Sequence, residues 1–151
     1  MGKEENEVQN AVMKYVNGIN GICQLRIDFP PVKDSIAFRI NSKGIRGRKS
    51  TLPLGFPDIL SMITIDGRAV PFFIEIKAPD KKCTNKDQLL FITNMEQRGA
   101  WATWTNSIEM LKEYIRGKIS SMFAKDAAPE EQTMYTTFLA RQRLIESYTE
   151  N

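Results

Sequence analysis

Two apolar runs separated by Asp66-Gly67 constrain this chain more than any other feature. Ile59 to Ile65 reads as a strongly apolar strand and Ala69 to Lys77 as the strand that returns. Asp-Gly accepts the positive backbone angles of a tight two-residue turn, so the runs are predicted to pair as an antiparallel hairpin. A lone hairpin is barely stable in water and has to be covered. Lys3 to Asn17 offers one cover: Val8, Ala11, Val12 and Tyr15 recur at helical spacing, and Gly18 and Gly21 end the pattern. Ile22 to Asp28 is predicted as a strand stopped by Pro30 and Pro31, and Ser35 to Ile40 as a second short strand. Asn41 to Phe56 is a loop rich in Gly and basic residues. Thr84 with Asp87 resembles a capping box, opening a helix to Arg98 that Gly99 closes. Ala100 to Trp104 is a strand, and Asn106 with Glu109 opens a helix to about Arg116. A last helix is predicted over Pro129 to Tyr148, with Tyr135, Phe138, Leu139 and Ile145 on one side. The order αβ(β)ββαβα predicts an α/β layered domain.

At 151 residues one domain is expected, large enough for a core without staples. No apolar run approaches the roughly 20 residues of a membrane span, and the polar, acidic start Met1-Gly2-Lys3-Glu4-Glu5 does not read as a signal peptide. Asn6 stands where a myristoylation motif needs Ser or Thr. The two cysteines, Cys23 and Cys83, make neither a disulfide framework nor a zinc site and fit a reducing cytoplasm. The chain has no histidine. That excludes Ser-His-Asp and Cys-His nucleophiles and His-ligated zinc, leaving carboxylates, Lys, Tyr, Ser or Cys for any catalysis. The net charge of +3 is compatible with a polyanionic partner, and Lys43, Arg46, Arg48 and Lys49 crowd into one Gly-rich stretch.

Within Phe72-Phe73-Ile74-Glu75-Ile76-Lys77, alternation places Phe72, Ile74 and Ile76 on one face and Phe73, Glu75 and Lys77 on the other. A Glu and a Lys thus stand one pleat apart on a strand otherwise built for burial. A solvated ion pair is the bland account, but surface pairs contribute little to stability. The hairpin adds a second carboxylate. Gly55-Phe56-Pro57-Asp58 opens the partner strand, so Asp58 and Glu75 are predicted near the same open end, where two carboxylates can share a cation. Magnesium keeps waters beside one or two carboxylates. Gln88, with Phe91, Ile92 and Met95 at i+3, i+4 and i+7, lies on the core-facing stripe of its helix, where an amide needs a partner. Glu5 borders the inward face of the first helix, preceding Val8 and Val12 with Gln9 at i+4.

Glu5-x-x-Val8-Gln9-x-Ala11-Val12, Phe38-Arg39-x-Asn41-Ser42-x-Gly44, Gly55-x-Pro57-Asp58, Phe73-Ile74-Glu75-Ile76-Lys77, Gln88-x-x-Phe91 and Gly99-Ala100, taken together, resemble the VRR-NUC family, a branch of the PD-(D/E)XK nuclease superfamily. The resemblance runs from about Glu5 to Ile115; Gly21 to Lys33 is longer than the family's usual first connection, and residues after about Gly117 have no counterpart. It implies a restriction-endonuclease-like core over residues 1–116, a small mixed central sheet flanked by helices; beyond it, 117–151 is expected to be a C-terminal helical extension of the same domain. It implies hydrolysis of DNA phosphodiester bonds, in duplex or branched DNA, with Mg²⁺ or Mn²⁺. It also implies a stand-alone protein of phage or bacterial type, working in the cytoplasm. Asp58 and Glu75 would hold the metal with the Ile76 carbonyl, and Glu5 directly or through water. Lys77 would orient the attacking water, Gln88 would fix Lys77 or that water, and Arg39, Lys43, Arg46, Arg48 and Lys49 would contact phosphates. Readout of shape or backbone is expected rather than of base sequence, since no base-reading motif is evident. A homodimer, its interface formed or braced by the Pro129 to Tyr148 helix, is a further expectation. Two other functions compete: an inactive nucleic-acid-binding or assembly protein on a nuclease-like fold, and an unrelated α/β enzyme using carboxylates. Divalent-metal binding separates them from the nuclease.

Overall fold

The computed structural model describes residues 2–18, 35–40, 52–65 and 68–122. They form an α/β fold in the order α1 (Lys3–Gly18), β1 (Ser35–Arg39), β2 (Ile59–Ile65), β3 (Arg68–Ile76), α2 (Lys86–Gln97), β4 (Trp101–Thr105) and α3 (Ile108–Met122). The expected strand at Ile22 to Asp28, residues 41–51 of the basic loop, the Asp66-Gly67 turn and the helix at Pro129 to Tyr148 lie outside the described residues.

The strands make one mixed sheet in the order β1-β2-β3-β4. β1, β2 and β3 are antiparallel neighbours, and the β2–β3 register runs from Ile65 opposite Arg68 to Ile59 opposite Ile74. β4 lies parallel to β3, with Ile76 opposite Thr105. The expected hairpin is therefore present, and a crossover through α2 delivers the parallel strand.

Alternation along β2 and β3 sorts the two faces. Ile59, Ser61, Ile63, Phe72, Ile74 and Ile76 are buried together against α1 and α3, which contribute Val12, Val16, Leu111, Ile115 and Ile119. Trp101 joins this side through Phe72 and Tyr114. Each such fully buried aliphatic or aromatic side chain contributes about 1.5–3 kcal/mol. On the other face Phe73 meets Phe91 of α2 and Phe56 of the loop before β2, with ring centroids 5.1 to 5.8 Å apart among the three. This aromatic cluster fixes the height of α2 above the face that carries Glu75.

Besides shifts of a single residue at several strand and helix ends, two helix caps and the end of α3 differ from the sequence expectation. The cap of α2 is Asn85 rather than Thr84: its extended backbone lets the carboxamide oxygen accept from the N–H groups of Asp87 and Gln88, and Asn outranks Thr at this position. At α3 the Ser107 hydroxyl accepts from the Met110 N–H, while Asn106 bonds elsewhere. α3 also runs past Arg116 to Met122, because Ile119 continues the buried stripe of Leu111 and Ile115; a division at 116 falls in mid-helix. Gly99 does close α2, with φ +89° and its N–H on the Glu96 carbonyl.

Candidate active site

One end of the sheet gathers the chemistry. There β1 finishes at Arg39, β2 begins after Asp58, β3 finishes at Ile76 and β4 at Thr105. The Ile40 N–H donates to the Asp58 carbonyl at 2.7 Å and the Lys77 N–H to the Thr105 carbonyl at 2.8 Å, so the neighbours stay tied just past the strands. One step beyond the last registered pair, Ile59 and Ile74, stand Asp58 and Glu75. The two carboxylates face each other across adjacent strands.

Asp58 is held by a short local device. Pro57 is buried, fixes its own φ and restrains Phe56 to extended backbone. The Asp58 Oδ2 then accepts the Ile76 N–H at 2.9 Å, which orients the carboxylate toward the end of β3. An extended residue directs its N–H and C=O to the same strand edge, so the Ile76 carbonyl shares the Asp58 side.

Glu75 is the unusual residue. It is only 3% exposed. Its Oε1 accepts from Lys77 Nζ at 2.9 Å and from Gln88 Nε2 at 2.6 Å. Its Oε2 is buried and has no hydrogen-bond partner. An unpaired carboxylate oxygen away from water is expensive. Burial, then the Asp58 charge, push the Glu75 carboxyl up to about 7 despite Lys77, and Glu5 adds to the effect from α1.

Lys77 closes a ring with the same groups. Its Nζ donates to Glu75 Oε1 and to Gln88 Oε1, each at 2.9 Å, and its side chain is 20% exposed. Burial alone would lower its pKa, but the hydrogen bond and charge of Glu75 outweigh burial and raise it. An ammonium has three N–H donors; the third is left for whatever enters the site.

The expected residues Asp58, Glu75, Ile76, Lys77 and Gln88 thus come together. Glu5 is half-buried and acts on Glu75 through its charge. Among the described residues no three His, Cys, Asp or Glu side chains are gathered into a set that could hold a metal ion, so Glu5 does not close a triad with the pair. An ion here would rest on Asp58 and Glu75, completed by backbone and water, the arrangement small hard cations accept. The orphaned Glu75 Oε2 fits that use. Arg39 is exposed at the same sheet end and donates to Asn10 Oδ1 of α1. Lys43, Arg46, Arg48 and Lys49 lie outside the described residues.

The sequence did not single out Cys83. It is buried, with Sγ 3.5 Å from Gln88 Oε1, and burial raises its thiol pKa. Its contact depends on the loop from Ala78 to Asn85, which carries no periodic signal. The Glu96 cluster was equally silent: Glu96 accepts from Tyr114, Lys118 and the Ala102 N–H, bolting α2 to α3 across β4. Those bonds hold the Glu96 carboxyl below its ordinary value against the opposing cost of burial.

No family model, curated protein or solved structure matches the chain. The resemblance to VRR-NUC nucleases rests on the residues quoted above. No helix among the described residues is long and apolar enough to cross a membrane.

Proposed function

We propose that this chain is a divalent-metal-dependent endonuclease that hydrolyses DNA phosphodiester bonds on a restriction-endonuclease-like core. The observation that carries the proposal is the buried, partnerless Oε2 of Glu75 beside Asp58, on a strand whose next outward residue on that face is Lys77. The element order, with helices on both faces of a small mixed sheet, supports the core assignment.

Asp58 and Glu75 would hold Mg²⁺ or Mn²⁺, with the Ile76 carbonyl and with Glu5 through water. The ion, when bound, neutralises phosphate charge and acidifies a water. The protein's own groups do the rest. Asp58 is locked by the Ile76 N–H, so its free oxygen keeps one direction. Lys77 is held charged by Glu75, and its remaining donor orients the attacking water or the phosphate oxygen that gains charge. Gln88 sets both neighbours at once, donating to Glu75 and accepting from Lys77. Arg39 and the Lys43 to Lys49 cluster would contact flanking phosphates. With no base-reading element evident, branched DNA selected by shape is the favoured substrate over a specific sequence.

The test pairs calorimetric Mn²⁺ titration with single-turnover cleavage of labelled linear and branched DNA. Glu75→Ala should lose metal affinity and cleavage together. Lys77→Ala should keep or tighten metal binding while cleavage collapses. A Lys77→Ala protein cutting at the parent rate, or Glu75→Ala binding Mn²⁺ as the parent does, overturns the assignment.

A further inference from the structure

A polyanion entering this site meets an obstacle: Asp58, Glu75 and Glu5 make its floor acidic. Approach requires positive charge at the rim. On the α1 side Arg39 supplies it. On the α2 side the segment from Lys77 to Asp87 carries four lysines against two aspartates. Three of them, Lys81, Lys82 and Lys86, are exposed, and none has an ion pair among the described residues.

This segment is built rather than loosely draped. The Lys81 N–H donates to the Ala78 carbonyl at 3.1 Å. Asn106 Nδ2, just past β4, donates to the Lys81 carbonyl at 2.9 Å. Asp80 between them takes φ 60°, a left-handed conformation that a non-glycine residue adopts at a cost. Asn85 then starts α2, and Gln88 fastens the helix to Glu75 and Lys77. The backbone that carries the lysines is therefore held at the same end of the sheet as the carboxylate pair. Across the sheet end the order is Arg39, Asp58, Glu75, then the lysine segment hooked to Asn106. Three strand spacings of about 4.8 Å give a span of about 14 Å, or about four base-pair rises of 3.4 Å along a DNA duplex axis.

We propose that Lys81, Lys82 and Lys86 form a phosphate-binding rim that holds the nucleic-acid backbone on the side of the cleaved bond opposite Arg39. This deepens the nuclease reading and rests on it for the position of the cleaved bond. The rim reads no base and confers charge-dependent affinity.

The test is the variant Lys81→Gln/Lys82→Gln/Lys86→Gln, with Lys14→Gln, an exposed lysine of α1, as the control for bulk charge. Binding of a short fluorescein-labelled DNA duplex is followed by anisotropy in EDTA. Loss of three phosphate contacts lowers the slope of log affinity against log salt by about 2.7, so between about 50 and 200 mM salt the parent should lose about 40-fold more affinity than the triple variant. KM for cleavage should rise by more than kcat falls, and Mn²⁺ affinity should match the parent's. A triple variant with the parent's salt slope, or one no different from Lys14→Gln, overturns the rim. The nuclease reading fails separately, through a parent that neither binds Mn²⁺ nor cuts DNA.

Discussion

Glu75 and Gln88 come from different elements, β3 and α2, yet their side chains meet at 2.6 Å, and Gln88 returns its carbonyl oxygen to Lys77 at 2.9 Å. One amide therefore sets the orientation of both the carboxylate and the ammonium of the E-x-K strand. A glutamine suits this because it donates and accepts from the same group.

Gln88→Ala should leave Glu75 Oε1 with Lys77 alone and release Lys77 from its second anchor. Outer-sphere partners of this kind are worth about 10–100-fold in metal affinity or activity, and cleavage should fall by that order. Folding stability should drop by about 1.5–3 kcal/mol, the range for a hydrogen bond to a charged group. Single-turnover rates and urea denaturation on the same preparations test both. A variant that cuts like the parent removes Gln88 from the site.

Glu75 makes folding pH-dependent in metal-free protein. Its folded pKa lies near 7, raised from an ordinary value of 4.5 by burial and by Asp58. A raised folded pKa means that the native state binds the proton better than the unfolded chain does. The associated stability is fully present below about 4.5 and is lost as pH rises through about 7, on the order of 3 kcal/mol in all. Glu75→Gln removes the titration. In EDTA the melting temperature of the parent should fall relative to Glu75→Gln between pH 5 and pH 8. A difference that stays constant with pH would mean that the Glu75 carboxylate is not strained.

Much of this site was legible because it is carried by local patterns. Period-two alternation placed Glu75 and Lys77 on one face, and the two apolar runs either side of Asp66-Gly67 predicted the antiparallel pairing that brings Asp58 opposite Glu75. Helical spacing aimed Gln88 inward. What stayed hidden depends on side chains meeting without periodicity. Asn85 displaced Thr84 as the cap through a backbone geometry that no pattern announces. Cys83 reaches Gln88 only because the Ala78 to Asn85 segment folds back. α3 continues past the expected end near Arg116 to Met122, because Ile119 extends the buried stripe beyond Gly117.

Ser61 is a separate case. It lies on the core face of β2, fully buried, and its hydroxyl has no partner. Removing an unsatisfied buried hydroxyl relieves a desolvation cost. Ser61→Ala should be neutral or should stabilise by about 1 kcal/mol, measured by urea denaturation, with cleavage unchanged. A loss of more than about 1 kcal/mol would mean that the hydroxyl is bonded in solution.

Gly55 connects the loop before Asp58 to α2. Its φ is +76°, a region that costs any residue with a Cβ. A Cβ placed there would stand 2.2 Å from the Asp87 carbonyl oxygen, 2.3 Å from its carbon and 2.7 Å from the Gln88 nitrogen. All three atoms are backbone in the first turn of α2, so no rotamer change can make room. Gly55→Ala must push the loop and the helix apart. The loop carries Asp58 and the helix carries Gln88, so the displacement separates the carboxylate pair from the amide that orients Glu75. The strained φ alone costs about 1–2 kcal/mol, and the clash adds to it. Gly55→Ala should lose more stability than an ordinary surface substitution and should lose cleavage even at temperatures where it remains folded. Circular dichroism melting with single-turnover cleavage well below the midpoint separates the two effects. A folded Gly55→Ala protein with the parent's cleavage rate would show that the contact between this loop and α2 does not set the site.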